Sequence, residues 1–206
     1  MNVPTSDFPA DGLFTARLQL RPASDRHAAH LQRYYQENRA HLQPWEPSRP
    51  DSFFETGAIA SRLRSMAQHN ASGSALFLLI CHSGSDEILG DCNFTNIVRG
   101  PFQACHLGFS IAKHMEGQGL MHEALTCALD HVFQHLKLHR VMANYRPENT
   151  RSARLLERTG FQYEGLARSY LKINGSWAAH VLTSRLNPED AVARRNLNLL
   201  NQPETR

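Results

Sequence analysis

Lysine is nearly missing from this chain of 206 residues. Lys113, Lys137 and Lys172 are the only three among 22 basic side chains, and arginine supplies the rest. Against 19 acidic residues the formal net charge is only +3, too mild to diagnose a nucleic-acid binder. The arginine bias suits planar phosphate or carboxylate partners, although genome base composition can produce the same bias. Cysteine is scarce as well. Cys81, Cys92, Cys105 and Cys127 are widely spaced inside apolar segments and form no Cys-x-x-Cys pair. Buried free thiols are therefore expected in place of a zinc ribbon or redox motif. Long apolar runs are absent too: the longest, Ala75 to Cys81, falls far short of the roughly 20 residues of a membrane-spanning helix. The first twenty residues hold Asp7 and Asp11 and show no basic segment followed by an apolar one, so no signal peptide is visible. The reading is a soluble, cytoplasmic protein. Its 41% hydrophobic and 20% charged residues are ordinary globular usage, and the length sets the expectation at one domain.

The pattern along the chain gives the layout. Residues 1–12 read as a flexible leader, 13–186 as the folded domain and 187–206 as a polar tail that can form a short helix. Leu18 and Leu20 alternate with Arg17, Gln19 and Arg21, which predicts a strand over Phe14–Arg21 ended by Pro22. Ser24 or Asp25 can cap a helix running to about Asn38. Pro44, Pro47 and Pro50 forbid a regular helix between them, and a second helix follows from about Phe53 to His69. Ala75–His82, Ile88–Val98 and Gln103–Ala112 read as three strands joined by turns. After Gly119 the apolar period becomes helical, with Leu120, Ala124, Leu125, Ala128, Leu129, Val132, Phe133 and Leu136 on one stripe. A strand at Arg140–Tyr145, a helix at Asn149–Thr159 closed by Gly160, and a hairpin turning at Asn174-Gly175 complete the domain. This order is α+β, with helices packed on one mixed sheet.

Chemistry concentrates where the strand Gly108–Ala112 meets the helix after Gly119. Gly117 and Gly119 let the backbone approach a ligand, and the helix start offers unpaired N–H groups at the positive end of a dipole, which suits pyrophosphate. A tight strand-to-helix turn with no ligand explains the same two glycines equally well. A dinucleotide fingerprint is excluded because His122 stands where its third small residue belongs. A P-loop is excluded because Leu120-Met121 replaces Lys-Ser or Lys-Thr. Downstream, Asn149 reads either as a helix cap or as a ligand contact. Arg151, Arg154 and Arg158 read as a solvated helix face. His131, His135 and His139 recur every four residues, a spacing that favours a polar helix face over a metal site.

Two glycine-bracketed strand–helix elements in this order resemble the acyl-CoA binding core of the GNAT N-acetyltransferases. Further blocks deepen the resemblance: Tyr34-Tyr35-Gln36-Glu37-Asn38-Arg39, Leu42-Gln43-Pro44-Trp45-Glu46-Pro47, Asn93-Phe94-Thr95-Asn96-Ile97-Val98-Arg99-Gly100, Gly117-Gln118-Gly119-Leu120-Met121-His122-Glu123-Ala124 and His139-Arg140-Val141-Met142-Ala143-Asn144-Tyr145. They are similar to the members of the family that acetylate the N-terminal alanine of a ribosomal protein, and the likeness runs from about Leu13 to Leu186. It implies a mixed, mostly antiparallel seven-stranded sheet with helices on both faces and splayed central strands. Gly108 is then expected to sit in a bulge that opens the splay.

The resemblance also implies acetyl-CoA as co-substrate, with no metal. Pantetheine would lie along Phe109, Ser110 and Ile111, and the diphosphate on main-chain N–H groups of Glu116, Gly117, Gln118, Gly119, Leu120 and Met121. Asn149 would reach the pantetheine amide. An oxyanion would meet a backbone N–H near Ser110 or Ile111. Many family members place a tyrosine seven residues after the asparagine to protonate the leaving thiolate. Here that position is Leu156, and Ser152 is the available general acid. The base is left open: the glutamate used by relatives aligns with Leu171, while Glu46, His106 and His180 remain candidates. Trp45, Glu46, His106 and Tyr170 are expected to meet the acceptor. The implied partner is a ribosomal protein N-terminus, met in a transient ribosome association by a monomer or homodimer, with no membrane and no specific nucleic acid. A small-molecule amine such as a polyamine or aminoglycoside is the alternative acceptor, and a CoA-binding module without turnover is the alternative outside enzymology.

Overall fold

The computed structural model describes residues 8–190. Strands and helices alternate as β1 (Leu13–Phe14), β2 (Leu18–Pro22), α1 (Ala28–Leu42), α2 (Thr56–Ser72), β3 (Leu76–His82), β4 (Ile88–Val98), β5 (Ala104–Ile111), α3 (Leu120–Gln134), β6 (Arg140–Tyr145), α4 (Thr150–Arg158), β7 (Gln162–Ile173) and β8 (Ser176–Leu186). One sheet holds all eight strands in the order β1-β2-β3-β4-β5-β6-β8-β7. Every neighbouring pair is antiparallel except β5 with β6.

The period-2 pattern sorts side chains to two layers. Leu18, Leu20, Leu78, Ile80, Phe94, Leu107 and Val141 face α3 and α4, meeting Leu125, Leu129, Val132, Phe133, Leu155 and Leu156. On the opposite face Leu79, Cys81 and Ile88 meet Leu31, Tyr34, Ile59 and Leu63 of α1 and α2. Fully burying each large apolar side chain favours folding by about 1.5–3 kcal/mol before entropy is charged against it. Helices therefore cover both faces, as expected.

Four expectations need correction. The strand expected over Phe14–Arg21 is broken, so the sheet has eight strands and not seven. The Thr15 hydroxyl accepts from the Leu18 N–H at 2.9 Å, a local turn that folds β1 back onto β2. The first helix runs to Leu42, past Asn38. Asn38 does not stop it: its amide donates to the Tyr34 carbonyl at 2.9 Å within the helix, while its Oδ1 accepts from the Lys113 N–H at 2.9 Å. That second bond ties α1 to the loop leaving β5. The second helix begins at Thr56, with a short 3₁₀ turn over Asp51–Phe54 ahead of it. Finally, the bulge lies in β4 and not at Gly108, which pairs regularly with Asn93. Asn96 and Ile97 face the single residue Cys105, and Asn96 takes a left-handed φ of 52° that asparagine tolerates.

At the two ends, residues 1–7 of the expected leader and 191–206 of the expected tail lie outside the described residues. Phe8 packs edge-on against His131 at 4.9 Å between ring centroids. Asn187 is buried and donates to the carbonyls of Phe133 and Leu138. Among the described residues no helix is long and apolar enough to cross a membrane.

Candidate active site

The site begins where two strands stop pairing. β5 and β6 share four pairs, the last being Leu107 with Ala143. Beyond it β5 stays with β4 as far as Ile111, and β6 stays with β8 as far as Tyr145. Each strand keeps its outer partner, so sheet twist carries the two apart and leaves main-chain groups of both unpaired in the gap. The Ala112 N–H donates to the Leu89 carbonyl on β4 at 2.7 Å. By antiparallel alternation the N–H of Ser110 also turns toward β4, and those of Phe109 and Ile111 turn toward the gap. Of the two oxyanion donors expected, Ile111 has the required orientation and Ser110 does not.

A cleft of about 1210 Å³ runs along the β5 side of this opening, between the Trp45 loop and the starts of α3 and α4. Its walls include every residue expected to bind the acyl donor: Phe109, Ser110, Ile111, Glu116, Gly117, Gln118, Gly119, Leu120, Met121, Asn149 and Ser152. At the outer end Gly117 and Gly119 adopt φ of 76° and 77°, in the region that favours glycine. Gly119 is the N-cap of α3 and no side chain caps this helix, so its first-turn N–H groups are left open on residues that line the cleft. The loop is held from outside. The Glu123 carboxylate accepts from the Thr15 hydroxyl at 2.6 Å and from Arg17, whose guanidinium also reaches the Gln118 carbonyl at 3.1 Å. The Thr15 hydroxyl bond, with those from Arg17, lowers the Glu123 pKa.

Glu116 departs from expectation. Its N–H is already used by the Lys113 carbonyl at 3.3 Å, so the open amides begin at Gly117. Its carboxylate pairs with Arg151 of α4 across the cleft and lies 3.6 Å from His41. Arg154 and Arg158 line the same wall. Neither has an ion-pair partner among the described residues, so the face read as merely solvated borders the cleft with open guanidinium groups. Asn149 is a helix cap: Oδ1 accepts the Ser152 N–H at 3.1 Å, and the residue also lines the cleft. The Ser152 hydroxyl has no hydrogen-bond partner among the described residues and is free to act on a ligand.

The inner end carries one lining carboxylate. Trp45 and Glu46 line it from the proline-held loop, which the Trp45 N–H closes onto the Leu42 carbonyl at 2.9 Å. Arg146 braces the loop through the Pro44 carbonyl at 2.9 Å, and the Asn174 N–H at the tip of the β7–β8 hairpin donates to the Glu46 carbonyl at 2.8 Å. Burial raises the Glu46 pKa, with Arg49 opposing. Behind Ser110 stands Asp91 on β4, a residue that the sequence reading missed. Burial, then the nearby Glu46 charge, pushes its carboxyl up to about 7. A lone carboxylate in the middle of an otherwise buried strand was the available signal.

Two expected acceptor contacts are elsewhere. His106 pairs with Thr95 and Met142, below the last shared β5–β6 pair, where the strands are still joined. It is not part of the cleft wall, because register rather than titration range decides what reaches the opening. Tyr170 also lies off the wall. A bulge at Arg168–Tyr170 puts its hydroxyl within 3.4 Å of the Asn144 amide, beside the gap on the β6 side. His180 is buried, with Nδ1 3.1 Å from the Ala178 carbonyl and its ring 5.8 Å from Tyr170. His131 and His135 stack at 4.8 Å and His139 pairs with Asp190. Among the described residues no group of three His, Cys, Asp or Glu side chains is placed to hold a metal.

A cleft with open guanidinium groups and helix amides at one end and Glu46 at the other fits a long ligand carrying phosphates outward, with an amine arriving from the far side. A family model described as an acetyltransferase (GNAT) domain matches residues 17–162. The [ribosomal protein uS5]-alanine N-acetyltransferase of Escherichia coli is 44% identical over 184 residues, covering 89% of this chain and 95% of that one. The crystal structure of ribosomal-protein-S5-alanine acetyltransferase from Vibrio fischeri superposes with a TM-score of 0.82 at 35% identity, covering 85% of this chain and 96% of that one. Mycobacterium smegmatis RimJ in complex with CoA-disulfide gives 0.76 at 32% identity, covering 88% of each.

Proposed function

We propose, for a chain that belongs to the GNAT acetyltransferase family and takes its acetyl group from acetyl-CoA, that the acceptor is the N-terminal α-amine of a ribosomal protein, an alanine-starting uS5. The observation that carries this reading is the 44% identity to an enzyme of that activity across nearly the whole of both chains. The geometry supports it. The open amides of Gly117–Met121 receive the diphosphate, Asn149 orients pantetheine, and the thioester enters the gap where the Ile111 N–H meets a developing oxyanion. Ser152 supplies a proton to the departing thiolate as general acid. Glu46 and Trp45 receive the amine, under a loop held to the hairpin tip by the Asn174 bond.

The α-amine matches the modest proton-accepting equipment of the site. Near pH 7 roughly a tenth or more of an amine with pKa of about 7.7–8.0 is neutral, against only a few per ten thousand for a lysine side chain near 10.4. Incubating the protein with acetyl-CoA and a uS5 N-terminal peptide starting with alanine tests the assignment. Thiol release with a 42 Da (~) mass gain on the α-amine is expected; release no faster than in a peptide-free blank rejects it.

A further inference from the structure

We infer that Asp91, acting through the Ser110 hydroxyl and paired with Glu46, takes the proton that the incoming ammonium must lose. The inference rests on the acetyl-transfer reading and deepens it, since the residue aligned with the base of relatives is Leu171, which is exposed and pairs with Ala178 in the hairpin.

The placement is geometric. Asp91 and Ser110 are directly paired across β4 and β5, so both side chains rise on the same face, the one covered by α1. Phe109 and Ile111 point to the other face, toward α3. Ser110 is therefore the part of the cleft wall that looks toward the acceptor side. Its Oγ lies 2.8 Å from the Tyr34 hydroxyl. Asp91 is hydrogen-bonded by the Asn93 amide at 3.1 Å and has Ser110 as its direct cross-strand neighbour, within reach of a rotation of the serine hydroxyl. With Tyr34 donating to Ser110 and Ser110 donating to Asp91, one lone pair of the serine oxygen stays open to an N–H from the cleft.

The step balances. The ammonium gives a proton to the Ser110 oxygen as the serine proton moves to Asp91, leaving a neutral amine and a protonated carboxyl. The amine nitrogen bonds to the acetyl carbon and the carbon–sulfur bond breaks. The second nitrogen proton leaves toward Ser152, whose own proton goes to sulfur, and Asp91 returns its proton to water.

The charged and titratable groups around this relay are Glu46 and Arg49 from the loop, Tyr34 and Tyr35 from α1, and Arg62 from α2. Burial, followed by the Asp91 charge, raises both tyrosines, so they remain neutral donors. Burial first, and the like charge of Glu46 second, keep Asp91 basic enough to compete for an ammonium proton.

Asp91 is a positioning residue behind Ser110, and a pH profile separates that role from simple packing. For Asp91→Asn, kcat/KM with the alanine peptide should fall roughly 10–100-fold near pH 7. The deficit should close as pH rises toward 9.5, where the peptide amine is already neutral. Ser110→Ala should show the same pH-dependent deficit with acetyl-CoA affinity preserved. A deficit equal at all pH values, or none, overturns the inference. Turnover by the unsubstituted protein tests the acetyl-transfer reading separately. Independently of any acceptor, 13C carboxyl NMR should show a group titrating near 7 that vanishes in Asp91→Asn. Absence of such a signal between roughly pH 6 and 8 also overturns it.

Discussion

Gly117→Ala tests the phosphate end of the cleft with a single methyl group. Gly117 has φ of 76°, and a Cβ built there meets nothing within 4 Å. In the free protein the substitution therefore costs only left-handed strain, about 1–2 kcal/mol. For a domain of this size that lowers Tm by roughly 2–8 °C. The same open space is where the diphosphate must approach the amides of Gly117–Met121. A methyl there should weaken acetyl-CoA binding by about tenfold or more, equivalent to at least about 1.4 kcal/mol. Gly57→Ala is the matched control: it adds the same methyl, also with nothing within 4 Å, to the first turn of α2 at ordinary φ. It should raise Tm slightly and leave binding unchanged. Thermal melts with calorimetric titration of acetyl-CoA read both effects. A Gly117→Ala protein that loses Tm but binds acetyl-CoA with unaltered affinity would show that the diphosphate lies elsewhere.

Ser152→Ala keeps the backbone N–H that Asn149 caps and removes only the unpartnered hydroxyl, so stability should change by no more than about 0.5 kcal/mol. Turnover should fall roughly 10–100-fold, at or below the low end for a general acid because a thiolate leaves readily; an unchanged kcat in stopped-flow thiol release would confine Ser152 to the helix start. Glu116→Gln removes a carboxylate facing the phosphate amides and frees Arg151 for the ligand. Acetyl-CoA affinity should rise several-fold at low salt and less at high salt, because Debye screening shortens to about 3 Å at 1 M; weaker binding at low salt would make the Arg151–Glu116 pair a required wall of the site. Asp91→Asn should also alter stability with pH. The folded carboxyl holds its proton up to about 7 while an unfolded one releases it near 4, so the unsubstituted protein loses stability as pH rises through that window. The variant should melt higher than the parent at pH 8 and no higher at pH 4; equal differences at both values in scanning calorimetry would contradict the burial of that charge.

The elements that position the donor were legible because each is written locally. Alternation marks the strands, two glycines mark a turn with positive φ, and the stripe from Leu120 to Phe133 marks the helix whose open end faces the cleft. Asn149 and Ser152 stand one turn apart at the start of one short helix, but their roles were legible only through the family resemblance. The acceptor side was less legible because it is assembled by register between distant segments. His106 and Ser110 are four residues apart on one strand, yet only Ser110 lies past the point where β5 and β6 separate. Asp91 becomes a partner of Ser110 through strand pairing, and a neighbour of Glu46 through a loop that a hairpin tip holds from 128 residues away in sequence. The break at Thr15 escaped because its side-chain bond to Leu18 interrupts a hydrophobic alternation that reads as continuous.

The most direct measurement is a crystal structure of the protein grown with acetyl-CoA. Electron density should place both phosphates on the amides between Gly117 and Met121. The acetyl carbonyl should lie in the opening between Ile111 and Tyr145, with Ser152 beside the sulfur and Ser110 facing the acceptor side. Density for the nucleotide on another surface, or β5 and β6 paired through Ile111 and Tyr145 with the ligand bound, would contradict a thioester delivered through the sheet.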